Sequence, residues 1–304
     1  MERVVIIGCG YLGSHLANYF YEKNWLVTII GRNSAYSHLL FEEIKFVEAD
    51  INDVEELKKY IKQDDVVLYA AGSINATNMF PDVLVDIESY YTSFVKLLEL
   101  CSFINVKKFV FLSSAGTVYG NTISRSKEDD CLNPVNIYGL QKVFFENLIK
   151  IKHNETNNLP YLILRVTNPY GGFQNPYKKQ GIIPVLINKA LNKEEFIFWG
   201  NIQAVRDFIF INDFLEATFR AVTLVDQETL NIGSGGGTSI SQVISIVEQR
   251  TNQKINIVYK STGQATIVKN VVNTDKLNSL TGYYPSTTLE DGIASIIKGI
   301  KKET

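Results

Sequence analysis

Within its first thirteen residues the chain passes from a strand through a glycine turn into a helix. Val4-Val5-Ile6-Ile7 is short, apolar and β-branched, Gly8-Cys9-Gly10-Tyr11-Leu12-Gly13 follows at once, and Leu12, Leu16 and Phe20 then recur at helical spacing. A strand apolar on both faces must be covered on both, and a helix with one apolar stripe can pack back onto it. The glycines allow a tight turn and a close approach of backbone to a pyrophosphate, which the free N–H groups at the helix start attract. A GxGxxG is weak evidence alone. Between this strand and this helix it predicts a dinucleotide cradle built by Gly8, Gly10, Tyr11, Leu12 and Gly13.

The rhythm repeats. Leu26 to Ile30, Val66 to Tyr69, Phe109 to Leu112 and Tyr161 to Val166 are further buried-strand runs, and Asp53-Val54-Glu55-Glu56-Leu57 is a helix start with a capping aspartate and acids in its first turn. Strand and helix in alternation predict an α/β fold, a doubly wound parallel sheet of Rossmann type. Beyond Asn168-Pro169-Tyr170-Gly171-Gly172 the alternation becomes irregular, which suits a smaller mixed α/β substrate lobe at the C-terminal side. The expected division gives residues 1–170 with 206–233 to the dinucleotide-binding domain, and 171–205 with 234–304 to the lobe. Gly233 to Gly237 is then a loop leading into a helix after Ser239.

Bulk properties narrow the partners. The net charge is −2 with no long basic run, so neither a nucleic-acid groove nor an anionic membrane is an expected partner. No segment has the ~18 apolar residues of a membrane span, and the start lacks the pattern of a signal peptide. Cys9, Cys101 and Cys131 lie far apart, with neither disulfide framework nor metal-ligand spacing. A soluble cytoplasmic protein without a metal is the expectation.

The remaining strand ends concern the cofactor. An acid about 20 residues past the glycines would hold the ribose 2′-hydroxyl of NAD. Here that place is taken by Gly31-Arg32-Asn33, and a guanidinium can bind a 2′-phosphate. Either NAD or NADP therefore fits. Asp50 and Ile51 follow the third strand where an adenine amino group would lie, and Ala70, Ala71 and Gly72 let backbone approach the cofactor after the fourth.

Tyr138-Gly139-Leu140-Gln141-Lys142 sets a phenol and an ammonium at i and i+4, on one helical face. The ammonium favours the phenolate and should lower its pKa, as an oxidised nicotinamide would also do. Pro134 breaks the chain before this helix, and Ser113-Ser114 ends a strand upstream.

These motifs together resemble the extended short-chain dehydrogenase/reductase family, in its NAD-dependent nucleotide-sugar epimerase/dehydratase branch. The resemblance runs through Gly8 to Gly13, Ser113 to Gly120, Asn133-Pro134 with Tyr138-Gly139 and Lys142, Leu164 to Gly171, Gly181 to Pro184, Val205 to Ile209 with Asp213, and Asn231-Ile232-Gly233. It covers nearly the whole chain and is more specific for the family than for the reaction.

The resemblance implies that Tyr138 is the acid/base, that Lys142 tunes it and holds the nicotinamide ribose, and that a hydroxyl polarises the sugar oxygen. The family's usual place for that hydroxyl, four residues before the tyrosine of Val118-Tyr119-Gly120, is Ala115. Ser114 is the favoured substitute and Thr117 the other. Asn168 and Arg206 resemble contacts to the nucleotide sugar, the competing reading of Arg206 being an ion pair with Asp207 or Asp213. Where many members carry Arg-Pro-Gly-Asp near the C-terminus, this chain has Ser261-Thr262-Gly263-Gln264.

The implied activity is epimerisation at C4 of a nucleotide-linked hexose, UDP being the expected nucleotide. The alternative is an NADPH-dependent 4-keto-sugar reductase. A dehydratase would need an acidic pair that Ala115-Gly116 does not supply, and a cofactor-sensing regulator would not be expected to keep both Tyr138 and Lys142. Apolar helices around Val83 to Leu100 and Tyr138 to Ile151 suit a homodimer.

Overall fold

The computed structural model describes residues 1–32, 36–72, 87–155, 159–174, 181–260 and 267–303, without the side chains of 87–90 and 301–303. Asn33, the end of the polar loop at 156–158, the expected helix start at Val83 and the Ser261 to Gln264 segment lie outside the described residues.

In chain order the elements begin with β1 (Arg3–Ile7), α1 (Tyr11–Glu22), β2 (Leu26–Gly31), β3 (Lys45–Glu48), α2 (Val54–Leu57), β4 (Val66–Tyr69) and α3 (Ile87–Ile104). Next come β5 (Lys108–Ser114), α4 (Ala115–Val118), α5 (Ile137–His153), β6 (Tyr161–Val166), β7 (Asn168–Tyr170), α6 (Ile182–Asn192), β8 (Phe196–Trp199) and β9 (Val205–Phe210). The remainder is α7 (Ile211–Leu224), β10 (Glu228–Ile232), β11 (Gly237–Ser239), α8 (Ile240–Thr251), β12 (Ile257–Lys260), β13 (Lys269–Asn270), α9 (Asp275–Thr281) and α10 (Leu289–Glu303).

Seven strands form one sheet in the order β10-β6-β5-β4-β1-β2-β3, every pair parallel. Chain direction across the sheet reverses between β1 and β4, where a doubly wound sheet opens its crevice. Alternation along β1 feeds two cores. Val4 and Ile6 join Leu16, Phe20 and Phe214 on the α1/α7 side, while Val5 and Ile7 join Phe94, Phe111 and Phe145 on the α3/α5 side.

Local chemistry explains the caps. Asp53 Oδ1 accepts from the Glu56 N–H at 3.0 Å, and Ser239 with Gln242 closes a capping box at the start of α8. Asn136 caps α5, accepting the Gly139 N–H at 2.8 Å. A side chain at Gly139 would put its Cβ 2.8 Å from the Thr117 carbonyl oxygen, so glycine there lets α5 lie against α4.

Beyond β6, β9 pairs with β7, β11 and β13, and β8 pairs with β12. The strand starting at Val205 thus sits in the small sheet, while β10, later in the 206–233 stretch, is an edge strand of the large one. The open edge of β6 is already taken by β10 along Leu162 to Val166, which leaves β9 no edge there. Among the described residues no helix is long and apolar enough to cross a membrane.

Candidate active site

The ends of the parallel strands gather the expected residues on one edge. Gly8 has φ +114°, and a Cβ on it would lie 2.7 Å from the Ala71 nitrogen; a Cβ on Gly13 would lie 1.9 Å from the Gly8 oxygen. Packing between backbone segments therefore demands both glycines. At Gly10 a Cβ would meet nothing within 4 Å, so that position borders open space. No side chain caps α1 and its first turn holds no acid, leaving N–H groups for an anion. This cradle fits a dinucleotide diphosphate.

Tyr11 and Leu12 offer it only backbone. The Tyr11 hydroxyl donates to the Gly171 carbonyl at 2.8 Å, and Leu12 packs on the α1-side core. Arg32 is exposed just past β2. Asp50 is also exposed, its carboxylate accepting the Asn52 N–H at 2.9 Å, while Ile51 packs on the α3-side core. Ala70 donates its N–H to Ile7 at 2.8 Å, Ala71 is buried against Gly8, and Gly72 is exposed.

Across the crevice, β5 ends on Ser114 and α5 brings Tyr138. Ser114 lies near enough to the Tyr138 phenol to draw its pKa down. Thr117 instead turns its hydroxyl to the Ser114 carbonyl at 3.3 Å, closing α4, and Ala115 is buried. Of the two candidate hydroxyls, that of Thr117 is spent on its own turn. Lys142 lies one turn along, its Nζ donating to the Leu112 carbonyl at 2.9 Å and standing 5.5 Å from the Tyr138 ring centre.

The direction of the Tyr138 shift differs from the expectation. Burial raises the Tyr138 pKa above its ordinary value, and only Ser114 pulls it down. Burial lowers Lys142 to about 8, with Glu146 acting against it. In the protein alone desolvation outweighs the help the phenolate was expected to receive. The positive charge of an oxidised nicotinamide would act in the missing direction.

Asn168 and Arg206 line one cavity of about 260 Å³, together with Gly181, Ile183, Phe208 and Ile240. Arg206 donates to the carbonyls of Val205 at 2.9 Å and Ile267 at 2.7 Å, and burial lowers its pKa. The competing ion pair is absent. Asp207 accepts from the Ser234 N–H and hydroxyl, both at 2.8 Å, and Asp213 from the Tyr283 hydroxyl at 2.6 Å and the Thr287 N–H at 2.8 Å. Asn168 spends a donor on the Asp207 carbonyl at 2.7 Å, rather than holding both for phosphate. A Cβ at Gly116 would lie 3.8 Å from Asn168 Oδ1 and 3.9 Å from Ser114 Oγ, so glycine keeps the space between them clear.

Several supporting residues escaped the sequence reading. His15 stacks on Phe173 at 4.0 Å and accepts its N–H at 3.0 Å, tying the cradle helix to the turn after β7; burial holds the imidazole neutral, at a pKa of about 4. Glu146 and Arg165 form a buried pair behind Lys142. Continuing the step from Tyr138 to Lys142 by four more residues would have found Glu146.

A doubly wound sheet, a glycine cradle at its switch point and a serine–tyrosine–lysine set across the crevice define a dinucleotide-dependent enzyme of the Rossmann class. The chain belongs to the NAD dependent epimerase/dehydratase family, which matches residues 4–233. A putative UDP-glucose 4-epimerase of Methanocaldococcus jannaschii is 29% identical over 97% of this chain and 96% of its own. A dTDP-4-dehydro-6-deoxyglucose reductase of Escherichia coli is 32% identical over 74% and 73% of the two chains. The UDP-glucose 4-epimerase of Thermotoga maritima, crystallised with UDP-glucose, superimposes with a TM-score of 0.92 at 25% identity, covering 99% of both chains.

Proposed function

We propose that the protein is an NAD-dependent nucleotide-sugar 4-epimerase acting on a UDP-hexose. The observation that carries this is the buried Lys142 ammonium 5.5 Å from the Tyr138 ring, with Ser114 near the phenol, on the crevice edge that holds the glycine cradle. NAD, when bound, accepts a hydride and returns it. Tyr138 takes the proton from the C4 hydroxyl as that carbon is oxidised, and gives it back once the keto sugar has turned over. Ser114 orients the sugar oxygen, and Lys142 supplies the positive field that favours an ionised Tyr138. Arg206, a half-buried cation with no carboxylate partner among the described residues, grips the diphosphate, and Asn168 offers its carbonyl oxygen to the sugar side.

The second reading is a 4-keto-sugar reductase using NADPH, favoured by the exposed Arg32 where the ribose-binding acid is missing. One assay separates them: UDP-hexoses followed by NMR with no reduced cofactor added. The epimerase interconverts the C4 epimers with its bound NAD alone, and Tyr138→Phe slows this by about 10²–10⁴-fold. Turnover only with stoichiometric NADPH, or a Tyr138→Phe variant as fast as the parent, overturns the proposal. We also infer a homodimer through the outer faces of α3 and α5.

A further inference from the structure

The stripe on α5 that begins with Tyr138 and Lys142 continues to Glu146, which faces β5 and β6. Lys142 is 6% exposed, Arg165 2% and Glu146 1%. Arg165 reaches the Glu146 carboxylate with Nη2 at 2.8 Å and with Nε at 3.2 Å to both oxygens, and the Ser113 hydroxyl donates to the same carboxylate. Arg165 is fixed in turn by the Tyr119 hydroxyl at 2.9 Å and the Glu128 carbonyl at 2.8 Å.

A buried pair of this kind costs desolvation that packed apolar side chains would avoid, so its presence invites a use. Lys142 supplies one. Among the described residues its ammonium has one hydrogen-bond acceptor, the Leu112 carbonyl, and otherwise meets the rings of Phe111 at 4.7 Å and Tyr138 at 5.5 Å. No carboxylate touches it. On its own helix Tyr138 and Glu146 stand one turn to either side; β5 brings the Leu112 carbonyl and the Phe111 ring, and β6 brings Arg165, which grips the Glu146 carboxylate. Among the described residues Glu146 is the negative group whose field opposes the effect of burial on Lys142.

We propose that Glu146 is a positioning residue for the Tyr138–Lys142 pair: held in place by Arg165 and Ser113, it supplies the negative field that keeps Lys142 an ammonium beside the phenol. Arg165 sets the strength of that field by neutralising part of it. This rests on the reading of Tyr138 and Lys142 given above, but the charge on Lys142 can be measured without any substrate.

The test is an NMR titration of the Lys142 Nζ in isotope-labelled protein, with and without bound dinucleotide, the signal being assigned by its loss in Lys142→Arg. Glu146→Gln should lower the Lys142 midpoint by about one pH unit or more, and Arg165→Gln should raise it. Both variants break the same ion pair, so a purely structural pair predicts no opposed shifts. The basic limb of the pH–rate profile should move to lower pH in Glu146→Gln, whereas a structural defect lowers the rate equally at every pH. If Glu146→Gln does not fold, Arg165→Lys keeps both charges without the two-pronged grip and should raise the midpoint. An unchanged midpoint in Glu146→Gln, shifts of the same sign in both variants, or no rise in Arg165→Lys overturns the proposal. Opposed shifts in a protein that fails to epimerise would keep this inference and sink the reaction assigned to the site.

Discussion

Arg206 shows what a side chain's surroundings add to a motif. Val205-Arg206-Asp207-Phe208 puts an acid beside the guanidinium, and sequence alone cannot say whether the two pair. The fold gives Asp207 to the Ser234 turn and Asp213 to the Thr287 turn, so Arg206 stays unneutralised beside Asn168. Arg206→Met should therefore weaken binding of UDP, measured by calorimetry, by about 10–100-fold, the worth of one charge-assisted contact. Its kcat at saturating substrate should change far less, because a guanidinium on the diphosphate would bind ground and transition states alike. Undiminished UDP affinity would remove Arg206 from the site. Tyr138 and Lys142 were legible from their spacing, whereas their protonation was not: the desolvation that raises one and lowers the other comes from residues distant in sequence.

At the scale of elements, the cradle between β1 and α1 joins two kinds of glycine that the motif does not distinguish. Gly13 has no room for a methyl group because its Cβ would run into the Gly8 carbonyl, while Gly10 has open space. Gly13→Ala should lower stability by about 3 kcal/mol or more, or prevent folding, through overpacking. Gly10→Ala should melt within a few degrees of the parent and lose NAD affinity, since its methyl group points where a diphosphate would approach. Thermal melts with and without NAD check both; a Gly10→Ala variant that binds NAD normally would place the diphosphate elsewhere. β1, β2, β4, β5 and β6 were legible because each holds a run of apolar β-branched, aromatic or leucine residues buried on both faces. β7, β8, β11, β12 and β13 were not. They are two to four residues long and mostly half-exposed, so pairing with β9 or with each other defines them, rather than any periodicity of their own.

On the scale of the whole molecule, the sequence shows apolar residues on several faces of α3 and α5 without saying which face inward. Phe94 and Phe145 stack at 3.9 Å inside the core, whereas Phe103 is 75% and Phe144 42% exposed, and the four are indistinguishable in a sequence pattern. Leu140, Phe144 and Ile151 recur along the outer face of α5, and Val95 and Phe103 lie outward on the neighbouring α3, joined to α5 by Lys152 and Glu99 at 2.8 Å. Two adjacent helices with apolar outer faces form a strip that water solvates poorly and a partner surface would cover. A two-fold pairing of the strip on itself closes without leaving a copy of it exposed, and so limits assembly to two chains. The expected outcome is a dimer by sedimentation equilibrium. Leu140→Glu with Phe144→Glu should give a monomer, because four buried charges would meet across the axis with no compensating cation. Both side chains point away from the core, so the variant should keep its helical circular dichroism. A parent protein that sediments as a monomer, or a double variant that remains dimeric, would place any pairing of chains on another surface.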